Sequence, residues 1–107
     1  MIRSARYQIG IAPEVLDHLG MIERKHHRII QRAINQQLSF APEERTRNRK
    51  PIEQPGPFSA TWELRLGPDN RFRVFYEVDR VERVVWIVAI GVKERDRLFV
   101  GGEEIEL

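Results

Sequence analysis

The sequence predicts an α+β domain in the order β-α-α-β-β-β, with a two-helix hairpin packed on one face of a mainly antiparallel four-stranded sheet. Three observations carry this. Apolar residues recur at helical spacing between positions 15 and 38. Three later segments alternate apolar and polar side chains, as half-buried strands do. The links between those segments are short and turn-forming, and links that short join antiparallel strands.

Each element follows in order. Tyr7-Gln8-Ile9-Gly10-Ile11 has the period-two pattern of a strand. Pro13 suits a first helical turn, where its missing N–H loses no intrahelical partner. Val15, Leu16, Leu19 and Ile22 then form one stripe, with Gly20 loosening or ending the helix. Ile29, Ile30, Ala33, Ile34 and Leu38 form a second stripe, with Arg28, Gln31, Arg32 and Gln36 outside it. Pro42 marks the end of the helical region. Residues 43–60 read as irregular, holding Pro51, Pro55, Gly56 and Pro57 beside the basic run Arg45, Arg47, Arg49 and Lys50. The remaining strands are predicted over residues 61–66, 71–78 and 84–91. Gly67-Pro68-Asp69-Asn70 and Asp79-Arg80-Val81-Glu82 supply the turns.

A chain of 107 residues suffices for one core, so residues 1–107 are read as a single domain. The absence of cysteine excludes disulfide stapling, thiolate catalysis and cysteine-ligated zinc. Met1-Ile2-Arg3-Ser4 lacks the apolar stretch of an export signal, and the longest apolar run, residues 84–92, falls far short of the ~20 residues that span a bilayer. The expectation is a cytoplasmic protein without membrane contact.

Of the 18 basic residues, 15 are Arg, and three of the 16 acids (Glu103, Glu104, Glu106) sit in the last five positions. Arg grips a phosphate through two parallel bonds, so an Arg-dominated body points to a phosphate-bearing partner.

Alternation assigns side chains to faces. Trp62, Leu64 and Leu66 face the helices, leaving Thr61, Glu63 and Arg65 on the other side. Phe72, Val74, Tyr76 and Val78 likewise face inward, so Arg71, Arg73, Phe75 and Glu77 share the outer face. Arg65 then neighbours Arg73 or Arg71, and like charges opposed on a sheet are destabilising. Either an external anion offsets them, or Glu63 and Glu77 do so as surface pairs worth about 0.2–1 kcal/mol each. Lys93, Arg95 and Arg97 extend the basic surface, and Phe99 either stacks on a nucleobase or closes the core with Leu98 and Val100. His26 and His27 point about 100° apart on a helix and cannot share a metal, so these two and His18 read as surface residues. No phosphate-binding Gly-rich loop, zinc-protease motif or calcium loop is present.

Trp-Glu-Leu-Arg-Leu, Arg-Phe-Arg-Val-Phe-Tyr-Glu-Val-Asp and Ala-Ile-Gly-Val-Lys-Glu-Arg together resemble the RelE/ParE toxin superfamily, nearer its RelE-type branch. Asn48-Arg49-Lys50-Pro51-Ile52 and the upstream order fit the same pattern, so the resemblance spans nearly the whole chain. It implies the toxin of a type II toxin–antitoxin system, in hetero-oligomeric complex with a cognate antitoxin. RelE-type members cleave mRNA on the ribosome without a metal or other cofactor, leave a cyclic phosphate and block translation. The alternatives are a ParE-like inhibitor of DNA gyrase and a family member that binds nucleic acid without cutting.

By position, Arg73 matches the arginine that stabilises the reacting phosphate, Arg65 a basic residue of the preceding strand, and Lys93 a catalytic arginine. Two departures stand out: Glu63 replaces a residue that is basic in some members, and Phe99 replaces a tyrosine. The reaction needs a base for the 2′-hydroxyl, a cation for the phosphorane and an acid for the leaving oxygen. Arg73 with Arg65 is expected as the cation, Lys93 as acid or second cation, and Glu63 as base, with Glu53 a further carboxylate candidate. Arg71, Arg95, Arg97, Phe99, Arg49 and Lys50 are expected to hold RNA.

Overall fold

The computed structural model describes residues 6–106; residues 1–4, read above as no export signal, lie outside this range. One seven-stranded sheet dominates: β1 (Gln8–Ile11), β2 (Arg49–Pro51), β3 (Trp62–Leu66), β4 (Phe72–Asp79), β5 (Val84–Glu94), β6 (Arg97–Val100) and β7 (Glu103–Ile105). Its order is β2-β3-β4-β5-β6-β7, and β1 pairs parallel with β5 while every other pairing is antiparallel. The two α-helices are α1 (Glu14–Gly20) and α2 (His27–Leu38), joined through a 3-10 turn at Arg24–His26.

This corrects the expected four-stranded sheet with a helical hairpin. Two of the extra strands come from the C-terminal end. Gly101 and Gly102, at φ +60° and +83°, make the two-residue turn that right-twisted strands favour, and it folds β7 onto β6. The third comes from the stretch read as irregular, where Arg49–Pro51 pairs with β3 at the sheet edge. An edge tolerates Pro51 because no ladder bond is asked of its nitrogen. The helices do not close on each other as a hairpin; α1 packs chiefly against β5. Leu16 and Ile29, assigned to the apolar stripes, point into solvent. Among the described residues no helix is long and apolar enough to cross a membrane.

The sheet buries both faces. Beneath the helices, Val15, Ile30, Ile34 and Leu38 meet Leu64, Phe72, Val74, Tyr76, Ile87 and Ile90. On the opposite face, expected to be open, Phe75, Ala89, Leu98, Val100 and Ala60 form a second cluster under Ile52 and Ile105. Phe75 is only 1% exposed, so that face is closed at its centre, with the Arg65–Arg73 end on one side of the cluster and the exposed Trp86 on the other.

One edge of β5 carries both β1, opposite Val84 to Ile87, and β6, opposite Gly91 to Glu94. Between them the edge is bare, and the Ile90 N–H donates instead to His18 Nδ1 at 3.3 Å. His27 Nε2 meets the carbonyls of Leu19 and Ile22, both at 2.8 Å. Of the histidines expected on the surface, His18 and His27 thus bond main-chain groups, and His26 lies against the Phe72 ring.

Candidate functional site

The candidate site sits at the end of the sheet where the β3–β4 and β5–β6 turns lie. The pairing of β3 with β4 places Arg65 directly opposite Arg73, on the face turned away from the helices. Lys93 joins them: Gly91 pairs with Arg73, and Lys93 lies two residues further along the same face of β5.

Arg73 is the fixed member of this group. Its side chain is 9% exposed. Nε donates to the Asn70 carbonyl at 2.9 Å, and Nη1 reaches Glu63 Oε1 at 3.4 Å. Glu63 Oε1 also accepts from Arg65 Nε at 2.5 Å, so one carboxylate oxygen serves both guanidinium groups. Burial pulls the Arg73 pKa below its ordinary value, Glu63 opposes this, and the Arg65 charge adds to the lowering. The guanidinium nonetheless stays charged, because its ordinary value lies so far above neutrality. Two arginines against one carboxylate leave a net positive charge.

Arg73 and Lys93 line one cleft of about 610 Å³, together with Arg71, Arg95, Asp69 and Glu94. Among the described residues, no carboxylate lies within ion-pair distance of Lys93 or Arg95. Arg71 pairs with Glu94 at 3.5 Å. Backbone strain gathers at the same end: Asp69, Asn70 and Arg95 adopt φ of +56°, +52° and +57°. Asp and Asn enter that region readily, whereas an arginine is held there at a cost of order 1–3 kcal/mol.

Several expected RNA contacts stand elsewhere. Arg49 is buried, and its Nη1 donates to the carbonyls of Gln37 at 2.6 Å and Ala41 at 3.0 Å. Gln37 lies in the last turn of α2, whose final carbonyls lack helical partners, and Ala41 lies just beyond it, so Arg49 caps that helix end and is closed to RNA. Phe99 pairs with Val92, and both point to the helix side of the sheet, the face opposite Arg73. The β5–β6 turn restarts the alternation, which the pattern of β5 alone does not show. Arg97 lies on the Phe99 side and is paired with Glu104 at 3.4 Å. Lys50 lies beside Glu63 on β2, and Glu53 borders a separate groove shared with Glu63 and Glu106.

The base role expected of Glu63 does not fit its surroundings. Its Oε1 already accepts from two guanidinium groups, whose charges disfavour protonation of the carboxylate, and the side chain is 12% exposed. Its position suits it to hold Arg73 and Arg65 in place. Neither tyrosine among the described residues lines the cleft. Tyr76 is buried under the helices, its hydroxyl donates to the Pro42 carbonyl at 2.8 Å, and burial raises its pKa strongly. No group of three or more His, Asp or Glu side chains gathers to hold a metal among the described residues.

No protein-family model matches the chain, and no curated protein matches it.

Proposed function

We propose that the chain is a RelE-type toxin, a cytoplasmic endoribonuclease that cuts mRNA on the ribosome and is held inactive by a cognate antitoxin. The observation that supports this reading is the Arg73 guanidinium, fixed by the Asn70 carbonyl and Glu63 at the wall of a cleft that also holds Lys93.

In this reading the 2′-hydroxyl attacks the adjacent phosphorus in line, the 5′-oxygen leaves, and a cyclic phosphate forms. Arg73 supplies donors preorganised for the charge that builds on the phosphorane oxygens. Buried and already anchored, it needs no reorganisation as that charge develops. Lys93 sits beside it as the second cation, free to protonate the departing oxygen. Arg65 acts through Glu63, to which its Nε is bound, and so helps set the position of Arg73. Of the carboxylates lining the cleft, Glu94 is paired with Arg71 and Asp69 makes no ion pair with Arg73, so the 2′-hydroxyl proton passes to water and much of the rate falls to orientation of the RNA by the ribosome.

The lack of an unengaged carboxylate in contact with Arg73 and of a tyrosine in the cleft favours a second reading, a family member that binds RNA without cutting it. Sequencing mRNA ends after brief induction separates the two. New ends that appear with the wild type and vanish with a folded Arg73→Ala variant support cleavage. Translation arrest that persists undiminished in that variant overturns it. RNA binding without new ends, in cells or on purified ribosomes, selects the non-cleaving reading.

A further inference from the structure

On the helix side of the same sheet end lies a cavity of about 270 Å³ that the cleft reading leaves unused. Its walls are Phe72, Phe99, Val92 and Met21, with His18 and His26 at the side. The His26 ring lies 5.1 Å from the Phe72 ring, tilted by 47°. Met21 is 63% exposed, an apolar side chain held over water at the mouth. It rests against Gly102, where an added Cβ would come within 2.7 Å of the Met21 methyl carbon.

The chemistry of these walls is that of a slot for one flat, hydrogen-bonding ring. Aromatic and thioether surfaces favour a π-face whatever its sequence. Of the His18 ring, Nδ1 is taken by the Ile90 N–H, leaving Nε2 as a donor. Glu23 and Glu94 at the rim accept from exocyclic amino groups. The ion-paired Arg71 and Glu94 line both this cavity and the Arg73–Lys93 cleft, so the two spaces meet across that pair. The Arg71 guanidinium also lies 5.7 Å above the Phe72 ring, which puts a cation at the junction where a phosphate would pass.

We propose that this cavity receives a purine base of an RNA strand whose adjoining phosphate lies in the Arg73–Lys93 cleft, the strand turning around Arg71 at the end of the sheet. The proposal rests on the RNA-binding reading of that cleft but not on cleavage.

The chain has two methionines, Met1 and Met21, so methyl-¹³C labelling gives a reporter inside the cavity that a Met21→Leu variant assigns. AMP is expected to move the Met21 resonance, and ribose 5-phosphate at equal concentration to leave it in place. Phe99→Ala should weaken AMP binding by about fivefold or more, the low end for loss of one stacking partner. A short RNA carrying 2-aminopurine should be quenched on binding, and less so with Phe99→Ala. Equal shifts from AMP and ribose 5-phosphate, or no Met21 shift at millimolar AMP, overturn the proposal without any variant. A Met21 shift with AMP but no quenching of the RNA overturns the strand and leaves a free-nucleotide pocket. The nuclease reading is judged separately: absent mRNA cleavage alongside a Met21 shift sinks catalysis alone.

Discussion

Arg65 and Arg73 stand directly opposite each other on neighbouring strands, and both donate to the same oxygen of Glu63. Opposed like charges on a sheet repel. Here a carboxylate reached from the same face holds them together, so Glu63 is an internal stand-in for part of the anion that the pair attracts.

Glu63→Gln removes that charge while keeping the shape. The folded protein should lose about 1–3 kcal/mol in dilute buffer, the range for leaving buried polar groups poorly matched. Sulfate should restore more stability to the variant than to the wild type, because an added anion binds the folded state alone. Thermal unfolding against sulfate concentration measures both; equal sulfate responses in the two proteins would count against the paired-arginine account.

Arg95 occupies φ +57° at the β5–β6 turn. Glycine adopts that conformation without penalty, so Arg95→Gly should stabilise the fold by roughly 1 kcal/mol. It should also weaken RNA binding and lower the salt slope by about one counterion. A variant that is more stable and binds less tightly is the expected outcome, read by denaturant unfolding and by RNA titration at several salt concentrations.

Arg49→Ala should act in the opposite sense. It frees the carbonyls of Gln37 in the last turn of α2 and of Ala41 beyond it, so a loss of about 2–3 kcal/mol is expected, in the range for a hydrogen bond to a charged group. RNA affinity of the folded fraction should stay within twofold of wild type, whereas Lys93→Ala should lower it. An Arg49 variant of native stability would contradict the capping role.

His18 gives the fold a pH dependence with a definite sign. Burial lowers its pKa below the ordinary 6.5, with Asp17 and Glu14 opposing. The unfolded chain therefore binds the proton first as pH falls. Stability is full above about pH 6.5 and declines below it, until the folded form also takes up the proton. Protonation turns Nδ1 into a donor and breaks its bond with the Ile90 N–H. Denaturant unfolding at pH 7.5 and 5.5 should show the decline, and His18→Ala should flatten it at a cost of about 1 kcal/mol at the higher pH.

Much of this geometry was legible from alternation alone. Leu64, Leu66, Phe72, Val74 and Tyr76 face the helices as the period of two requires, and Arg65 and Arg73 share the other face. Alternation could not show that Phe75, on the arginine side, would also be buried. That needs Leu98 and Val100 to fold over it, contacts set by the Gly101-Gly102 turn. The turn was visible as a glycine pair, yet the acidic residues beyond it gave no apolar face to suggest a strand. A β-bulge near Val88 also resets the period inside β5, so Ala89 and Ile90 exchange the faces that a simple count gives them. Arg49 was hidden for a different reason. Its partners are main-chain carbonyls 12 and 8 residues away, and carbonyls carry no sequence signature.

The first strand and the last hairpin lodge on the same margin of β5, one behind the other, with the His18 ring bonded to the strand between them. β1 and the β6–β7 hairpin are thus each a lid for their own stretch of a long apolar strand. Trimming either would strip a row of amides and carbonyls bare and invite a second molecule to zip onto it. Shortened versions of this protein should therefore come out of solution as self-associated material, and fusions intended to preserve it belong on flexible tethers beyond both ends.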